Sequence, residues 1–180
     1  MTTKEESILV FSQWGELLKP YRESRVFESG KCERSVLSGD PEALRCKIDS
    51  DGMADPCWSS RTRAACLTAP WDKDVIIIQR ADETASPTTA SPAEVNERDV
   101  PWALTIRDPS GGAELRCAAL GGVQSSAAGG RLNWHCRTKA GESAGDAFGQ
   151  LEKSDKPWTV SYNPKESSQV QRADVITYWP

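Results

Sequence analysis

Short apolar runs, separated by turns rich in glycine and proline, make up most of the chain. The clearest run is Val75–Ile78, four consecutive β-branched residues, which is typical of a strand buried on both faces. "PWALTI" and "AELRCAAL" flank the turn "RDPSGG", and "PWTVSY" and "ADVITYWP" close the chain as two further strands. About seven to nine short strands with little helix predict an all-β fold, mainly an antiparallel barrel or sandwich.

The N-terminal part of the chain contains one ambiguous segment, followed by one predicted strand. Five apolar residues of "ILVFSQWGELLKPY" follow helical spacing: Val10, Trp14, Leu17, Leu18 and Tyr21. Gly15 in the middle and Pro20 near the end favour an extended lead-in with a short turn equally well. The following "SRVFESGKCERS" predicts a strand that enters a turn at Gly30.

Composition along the chain predicts one domain with one long loop. We expect residues 1–13 to be a lead-in and residues 14–180 to form a single β-rich domain. The segment "ADETASPTTASPAEVNERD", residues 81–99, has almost no apolar content and is rich in Ser, Thr, Pro and acidic residues. This composition indicates an exposed connection, with an O-glycosylated or partner-binding segment as the alternative.

Six cysteines carry the strongest chemical signal: Cys32, Cys46, Cys57, Cys66, Cys117 and Cys136. No C-x-x-C pair occurs, and His135 is the sole histidine, so the spacing fits no zinc site. We expect disulfides, which stabilise the fold and indicate an oxidising, extracytoplasmic compartment. We expect no metal and no cofactor.

The cysteines are expected to pair in sequential order, although their number alone allows many pairings. The predicted bonds are Cys32–Cys46, Cys57–Cys66 and Cys117–Cys136. The last has the firmest basis, because "AELRCAAL" and "RLNWHCRT" read as strands on either side of "GGVQSSAAGG", a Gly/Ser-rich turn region.

Charge and hydropathy exclude several partners. The chain has 22 Lys and Arg residues against 26 Asp and Glu, a net charge of -4, and no run of basic residues longer than two. Nucleic acid and anionic membrane surfaces need clustered positive charge, so neither is expected as a partner. No apolar run is long enough to span a membrane, and the N-terminus lacks a signal-peptide pattern. We therefore expect a soluble part of a longer protein, attached to a membrane only through a segment outside this chain.

"MADPCWSS" raises the alternative of a cysteine hydrolase, because Cys followed by Trp is similar to the nucleophile region of papain-like proteases. Such an enzyme needs a thiolate and a histidine base, which would be Cys57 and His135. Pro56 precedes the cysteine, Cys66 is a nearby disulfide partner, and His135 should point away from its neighbour Cys136 in a strand. We expect no catalytic residues and no enzyme activity.

Several motifs together resemble a family of proteins. "SGKCERS", "ALRC", "DPCW", "CLTAPW", "PWAL" and "PWTV" are similar to uncharacterised actinobacterial Cys-rich domains that are secreted or membrane-anchored, including the extracytoplasmic module of some receptor-type serine/threonine kinases. The resemblance covers about Trp14 to Trp179, with Trp58 where the family often has Phe. It implies disulfides, an extracytoplasmic location and a non-enzymatic role, and it implies no particular ligand.

Two functions follow as expectations. The first is a non-enzymatic binding or sensor module at the cell envelope, with an unknown envelope ligand or protein as its partner. Trp58, Trp71 and Trp102 are its candidate ligand-binding residues, because rings beside Pro or Cys near strand entries suit stacking on a glycan or peptide. The second is a secreted protease inhibitor or interaction protein, which would present Arg61 and Arg63 on a loop Ser59–Ala65 between Cys57 and Cys66.

Overall fold

A computed structural model describes residues 2–48, 52–83, 100–120, 126–127, 130–154 and 156–180. None of these residues lies in a helix, so the predicted all-β class is confirmed, and the described residues include no helix that is suited to crossing a membrane. The strands are β1 (Lys4–Glu5), β2 (Arg22–Arg34), β3 (Leu44–Lys47), β4 (Met53–Ser60), β5 (Arg63–Cys66), β6 (Asp74–Glu83), β7 (Ala103–Arg107), β8 (Glu114–Ala119), β9 (Ser126–Ala127), β10 (Gly130–Arg137), β11 (Ser143–Glu152), β12 (Thr159–Pro164) and β13 (Gln171–Trp179).

The chain divides into two compact units, where the sequence predicted a lead-in and one domain. Unit 1 comprises Met1–Glu6 and Val100–Pro180, and unit 2 comprises Ser7–Asp99. The N-terminal residues belong to unit 1 because β1 pairs in parallel with β13, near the other end of the chain. A pairing of two residues leaves no periodic signal in the sequence.

The first three residues of the predicted loop at 81–99 lie in a strand. Residues 81–83 still belong to β6, where they continue the parallel pairing with β2. Residues 84–99 lie outside the described residues. The polar residues Asp82 and Glu83 are therefore exposed residues at the end of a strand.

Unit 2 is a closed barrel in the order β2-β3-β4-β5-β6. Neighbouring strands are antiparallel, but β6 closes the ring on β2 in parallel. In a five-stranded meander the first and last strands run in the same direction, so only a parallel pairing can close it. Its inner cluster consists of small residues together with one large one, Ile78: Cys32, Cys46, Ala54, Cys57, Ala64, Cys66 and Ile78.

Unit 1 closes with the opposite pairing. Six strands follow the order β7-β8-β10-β11-β12-β13, and β13 returns to β7 in antiparallel pairing, as an even number of strands requires. Larger side chains fill this ring, including the fully buried Trp134 and Tyr162. The barrel alternative thus describes the connectivity better than two packed sheets would.

Glycine explains the local structure at two positions. Gly15 has φ of +82° in the turn that begins at Ser12, and a bridge joins Phe11 to Leu17, so the extended interpretation is right and the helical one is wrong. Gly30 forms no turn but lies inside β2. A Cβ placed there would lie 3.0 Å from the carbonyl oxygen of Lys47, so glycine permits this close approach of β3.

Candidate binding surface

All three disulfides form as predicted from the sequence. Cys32–Cys46 joins β2 to β3, Cys57–Cys66 joins β4 to β5, and Cys117–Cys136 joins β8 to β10. In each case the two cysteines are direct partners in an antiparallel register. Their side chains therefore project from the same face of adjacent strands, which is why sequential pairing across short connections succeeds.

Cys57 is oxidised and buried, so it has no thiolate to act as a nucleophile. The sulfur atoms of Cys46, Cys57 and Cys66 lie within 4.8 Å of one another, but each belongs to a disulfide rather than to a thiolate metal site. His135 lies in the other unit, where its Nδ1 is 2.8 Å from Oδ1 of Asp146. The structure thus gives Cys57 the role of a structural cross-link.

The residues around Cys57 hold the loop that connects β2 to β3. Ser35 Oγ donates to the Asp55 carboxylate, and the Val36 amide donates to Asp55 Oδ2 over 3.2 Å. Asp40 Oδ2 accepts a hydrogen bond of 3.0 Å from Nε1 of Trp58. Asp55 and Trp58 both lie in β4, so this strand fixes the loop at two points.

The desolvated carboxyl of Asp55 is expected to make unit 2 sensitive to pH. Burial raises the pKa of Asp55, although hydrogen bonds from the Ser35 and Val36 groups and the charge of Arg45 act in the opposite direction. A raised folded-state pKa gives stability that is present below the unfolded pKa and is lost as pH rises through the folded value. Asp55→Asn should therefore gain stability relative to the wild type as pH rises from acid to neutral, as measured by urea unfolding.

Asp74→Asn is the matched control with the opposite sign. The Arg22 guanidinium lowers the pKa of the exposed Asp74 carboxyl, so its stabilisation is present above the unfolded pKa and is lost as pH falls. Asp74→Asn should accordingly lose stability relative to the wild type as pH rises. The same pH dependence for both variants would contradict this assignment of Asp55.

Two of the three tryptophans predicted to stack on a ligand are buried. Trp58 is 8% exposed and Trp102 is 1% exposed, so neither presents an open ring face for stacking. Trp71 is half-buried in the turn before β6. Trp58 and Trp71 belong to unit 2, while Trp102 precedes β7 in unit 1. Trp71 and Trp102 each follow a proline shortly before a strand, whereas Trp58 lies inside β4, and the rings of Trp58 and Trp102 turn into the protein interior.

The predicted inhibitor loop Ser59–Ala65 is mostly strand. Ser60 pairs with Arg63, so only residues 61 and 62 form the turn between β4 and β5. Arg63 donates to Glu23 over 2.6 Å, and its guanidinium lies 5.9 Å from the centre of the Phe11 ring. The side chain of Arg63 is therefore engaged within unit 2, and the expected exposed basic loop is reduced to Arg61.

One edge of β2 has no partner among the described strands over eight residues, Arg22–Ser29. β6 pairs with β2 from Arg22 to Cys32 along the other edge, but β3 pairs with it only from Lys31 to Arg34. The difference arises because β2 has 13 residues and β3 has four. Backbone N–H and C=O groups along an unpaired edge are ready to pair with another strand.

Along this open edge, an ion pair holds the start of the strand and an exposed apolar side chain lies in the middle. Arg22 forms an ion pair with Asp74, which ties the start of β2 to β6. Val26 is 51% exposed in the middle of the edge, and the guanidinium of Arg25 lies 5.0 Å from the centre of the Phe27 ring. In the stretch "RESRVFES" apolar and polar residues do not alternate regularly, so the sequence indicates no face that packs on the core. The sequence also cannot show which edge of this strand lacks a partner.

A cleft lies where the open edge meets the end of β3. Its volume is about 330 Å³, and its lining residues are Ser29, Gly30, Lys31, Lys47, Ile48 and Asp82. Lys31 and Lys47 are direct register partners, and neither ammonium group forms an ion pair with a carboxylate in the described part of the chain. Two ammonium groups against one carboxylate make this lining electropositive.

No family model, curated protein or solved structure matches the chain. The resemblance to actinobacterial extracytoplasmic modules therefore stays a prediction. The candidate surface, the open edge of Arg22–Ser29 with the lysine cleft at its end, is defined by geometry.

Proposed function

We propose that this chain is a non-enzymatic binding module of an extracytoplasmic protein, and that it captures an extended polypeptide segment along the open edge of β2. The observation that carries the proposal is the run of eight residues whose second edge has no described partner. A ligand strand would satisfy the exposed backbone groups, and main-chain hydrogen bonds would supply much of its affinity.

The lysine cleft supports a ligand with an acidic end. Lys31 and Lys47 flank the point where a strand added beside Ser29 would meet the end of β3. A carboxylate there would receive charge-assisted hydrogen bonds from ammonium groups that have no described ion partner. The exposed Val26 would meanwhile contact an apolar side chain of the ligand strand.

Three disulfides are consistent with an oxidising, extracytoplasmic location. Secretion or attachment at the cell envelope is part of the proposal, together with a polypeptide of the envelope as the partner. The two-residue turn at Arg61 gives the protease-inhibitor alternative less support than the strand edge, since Arg63 is held by Glu23.

Selection of peptides tests the proposal directly. A display library of random dodecapeptides is selected against the whole chain, and enriched peptides are measured by fluorescence anisotropy. Val26→Lys places a charge at the centre of the edge, which disfavours strand addition, and should weaken binding by about tenfold or more. Val170→Lys is the matched control, because Val170 is a comparably exposed valine in unit 1.

The proposal requires peptides that bind the wild type and Val170→Lys but bind Val26→Lys weakly. Lys31→Gln combined with Lys47→Gln should also weaken the peptides that carry a terminal acidic residue. A library that yields no binder, or binders that are indifferent to Val26→Lys, would contradict strand capture at β2.

A further inference from the structure

The four cysteines of unit 2 lie closer together than two separate cross-links require. β3 lies between β2 and β4. Leu44, which precedes Cys46 by two residues in β3, is the register partner of Cys57 in β4. The sulfur atoms of Cys46, Cys57 and Cys66 consequently lie within 4.8 Å of one another, in a buried cluster. A sulfur of one disulfide thus neighbours both sulfurs of the other.

We propose that Cys32–Cys46 and Cys57–Cys66 form a single thiol–disulfide exchange unit. A thiolate released at Cys46 attacks Sγ of Cys57, the Cys57–Cys66 bond breaks, and a Cys46–Cys57 bond forms. Cys66 leaves as a thiolate and takes up a proton from solvent. Attack on Sγ of Cys66 instead releases Cys57. One thiol and one disulfide are present before and after the step, so it consumes no oxidant or reductant.

The first thiolate must come from outside the cluster in the intact protein. A dithiol reductant or a dithiol oxidoreductase that attacks Cys32 forms a mixed disulfide with Cys32 and releases Cys46. Exchange then carries the opening to the second disulfide, so a partner that reaches one bond acts on both.

Unit 1 provides the natural comparison. Cys117–Cys136 is the sole disulfide of that unit, because the other four cysteines belong to unit 2. Its neighbours in the core are apolar side chains such as Leu104 and Trp134. A thiol released at Cys136 therefore has no second disulfide beside it in its own unit.

The test uses Cys32→Ser, which leaves Cys46 as the released thiol in the otherwise oxidised chain. The folded variant is incubated at mildly alkaline pH, where thiolate forms, and is then denatured and trapped with N-ethylmaleimide at mildly acidic pH. Peptide mapping by mass spectrometry should find the label distributed over Cys46, Cys57 and Cys66. Label confined to Cys46 after prolonged incubation would overturn the proposal.

Cys117→Ser is the matched control, and its label should stay at Cys136. Equal spread of label from Cys136 into unit 2 would show unspecific exchange and would also overturn the proposal. Limited reduction of the wild-type protein with one equivalent of a phosphine avoids any folding defect of the variants. It should yield Cys46–Cys57 or Cys46–Cys66 bonds, whereas the recovery of native pairs alone would count against the exchange unit.

Discussion

Reduction of all three disulfides with a phosphine is expected to unfold the protein at ordinary temperature. The bonded cysteines are 14, 9 and 19 residues apart. In the chain-entropy model, loops of this size stabilise the folded state by about 3 kcal/mol each. Their sum approaches the whole free energy of unfolding of a typical domain, about 5–15 kcal/mol. The measurement is thermal unfolding by circular dichroism, with the free thiols counted in the same sample.

Unit 2 should lose more stability than unit 1 on reduction, because it holds two of the three cross-links. The chain-entropy model assigns about 5–6 kcal/mol to the pair in unit 2 and about 3 kcal/mol to Cys117–Cys136. Cys117→Ala combined with Cys136→Ala leaves unit 2 cross-linked and is the control for this difference. A melting temperature that stays unchanged with six thiols free would contradict the expectation.

Trp134→Ala is expected to lower the free energy of unfolding of unit 1 by about 3–5 kcal/mol, the usual range for a large aromatic residue truncated in a core. Trp134 is fully buried, and its Nε1 donates a hydrogen bond of 2.7 Å to the carbonyl oxygen of Pro101. Truncation leaves a cavity in the ring and a buried carbonyl without its donor. Urea unfolding measured by circular dichroism gives the change.

Two substitutions separate these contributions. Trp134→Phe keeps most of the ring volume but removes the donor to Pro101, and should cost about 1–3 kcal/mol. Trp14→Ala is the control at an exposed position, since Trp14 is 67% exposed, and should change stability by no more than about 0.5 kcal/mol. Equal effects of Trp134→Ala and Trp14→Ala would contradict the assigned core.

The strands and disulfides follow from the sequence because their signals are local. Val75–Ile78 lies in β6 as its β-branched run predicts, and three of its four side chains are buried. Cys117 and Cys136 face each other because the runs that contain them alternate with period two. Each signal depends on residues close together in the chain, so no knowledge of the whole fold is needed.

The candidate surface and the division into units depend on pairings between distant segments. Among the described residues, Arg22–Ser29 forms an open edge because β3 pairs with β2 only as far as Lys47, opposite Lys31, and residues 22–29 hold no information on the length of β3. Trp58 was expected to cover the surface as a stacking residue, but Asp40 in a preceding loop draws its indole N–H inward. The sequence around a tryptophan in a strand does not reveal whether its indole N–H binds a ligand or the protein itself.

The scaffold of strands cross-linked by three disulfides is the central claim, and the redox state of the cysteines tests it most directly. One sample of the denatured protein is treated with iodoacetamide without reductant, and a second sample is fully reduced before the same treatment. The masses of both samples are then measured. With all six cysteines in disulfides, we expect no label in the sample without reductant and six labels in the reduced sample. A label on Cys57 before reduction would contradict the account, because it would restore the free thiol that a nucleophile requires.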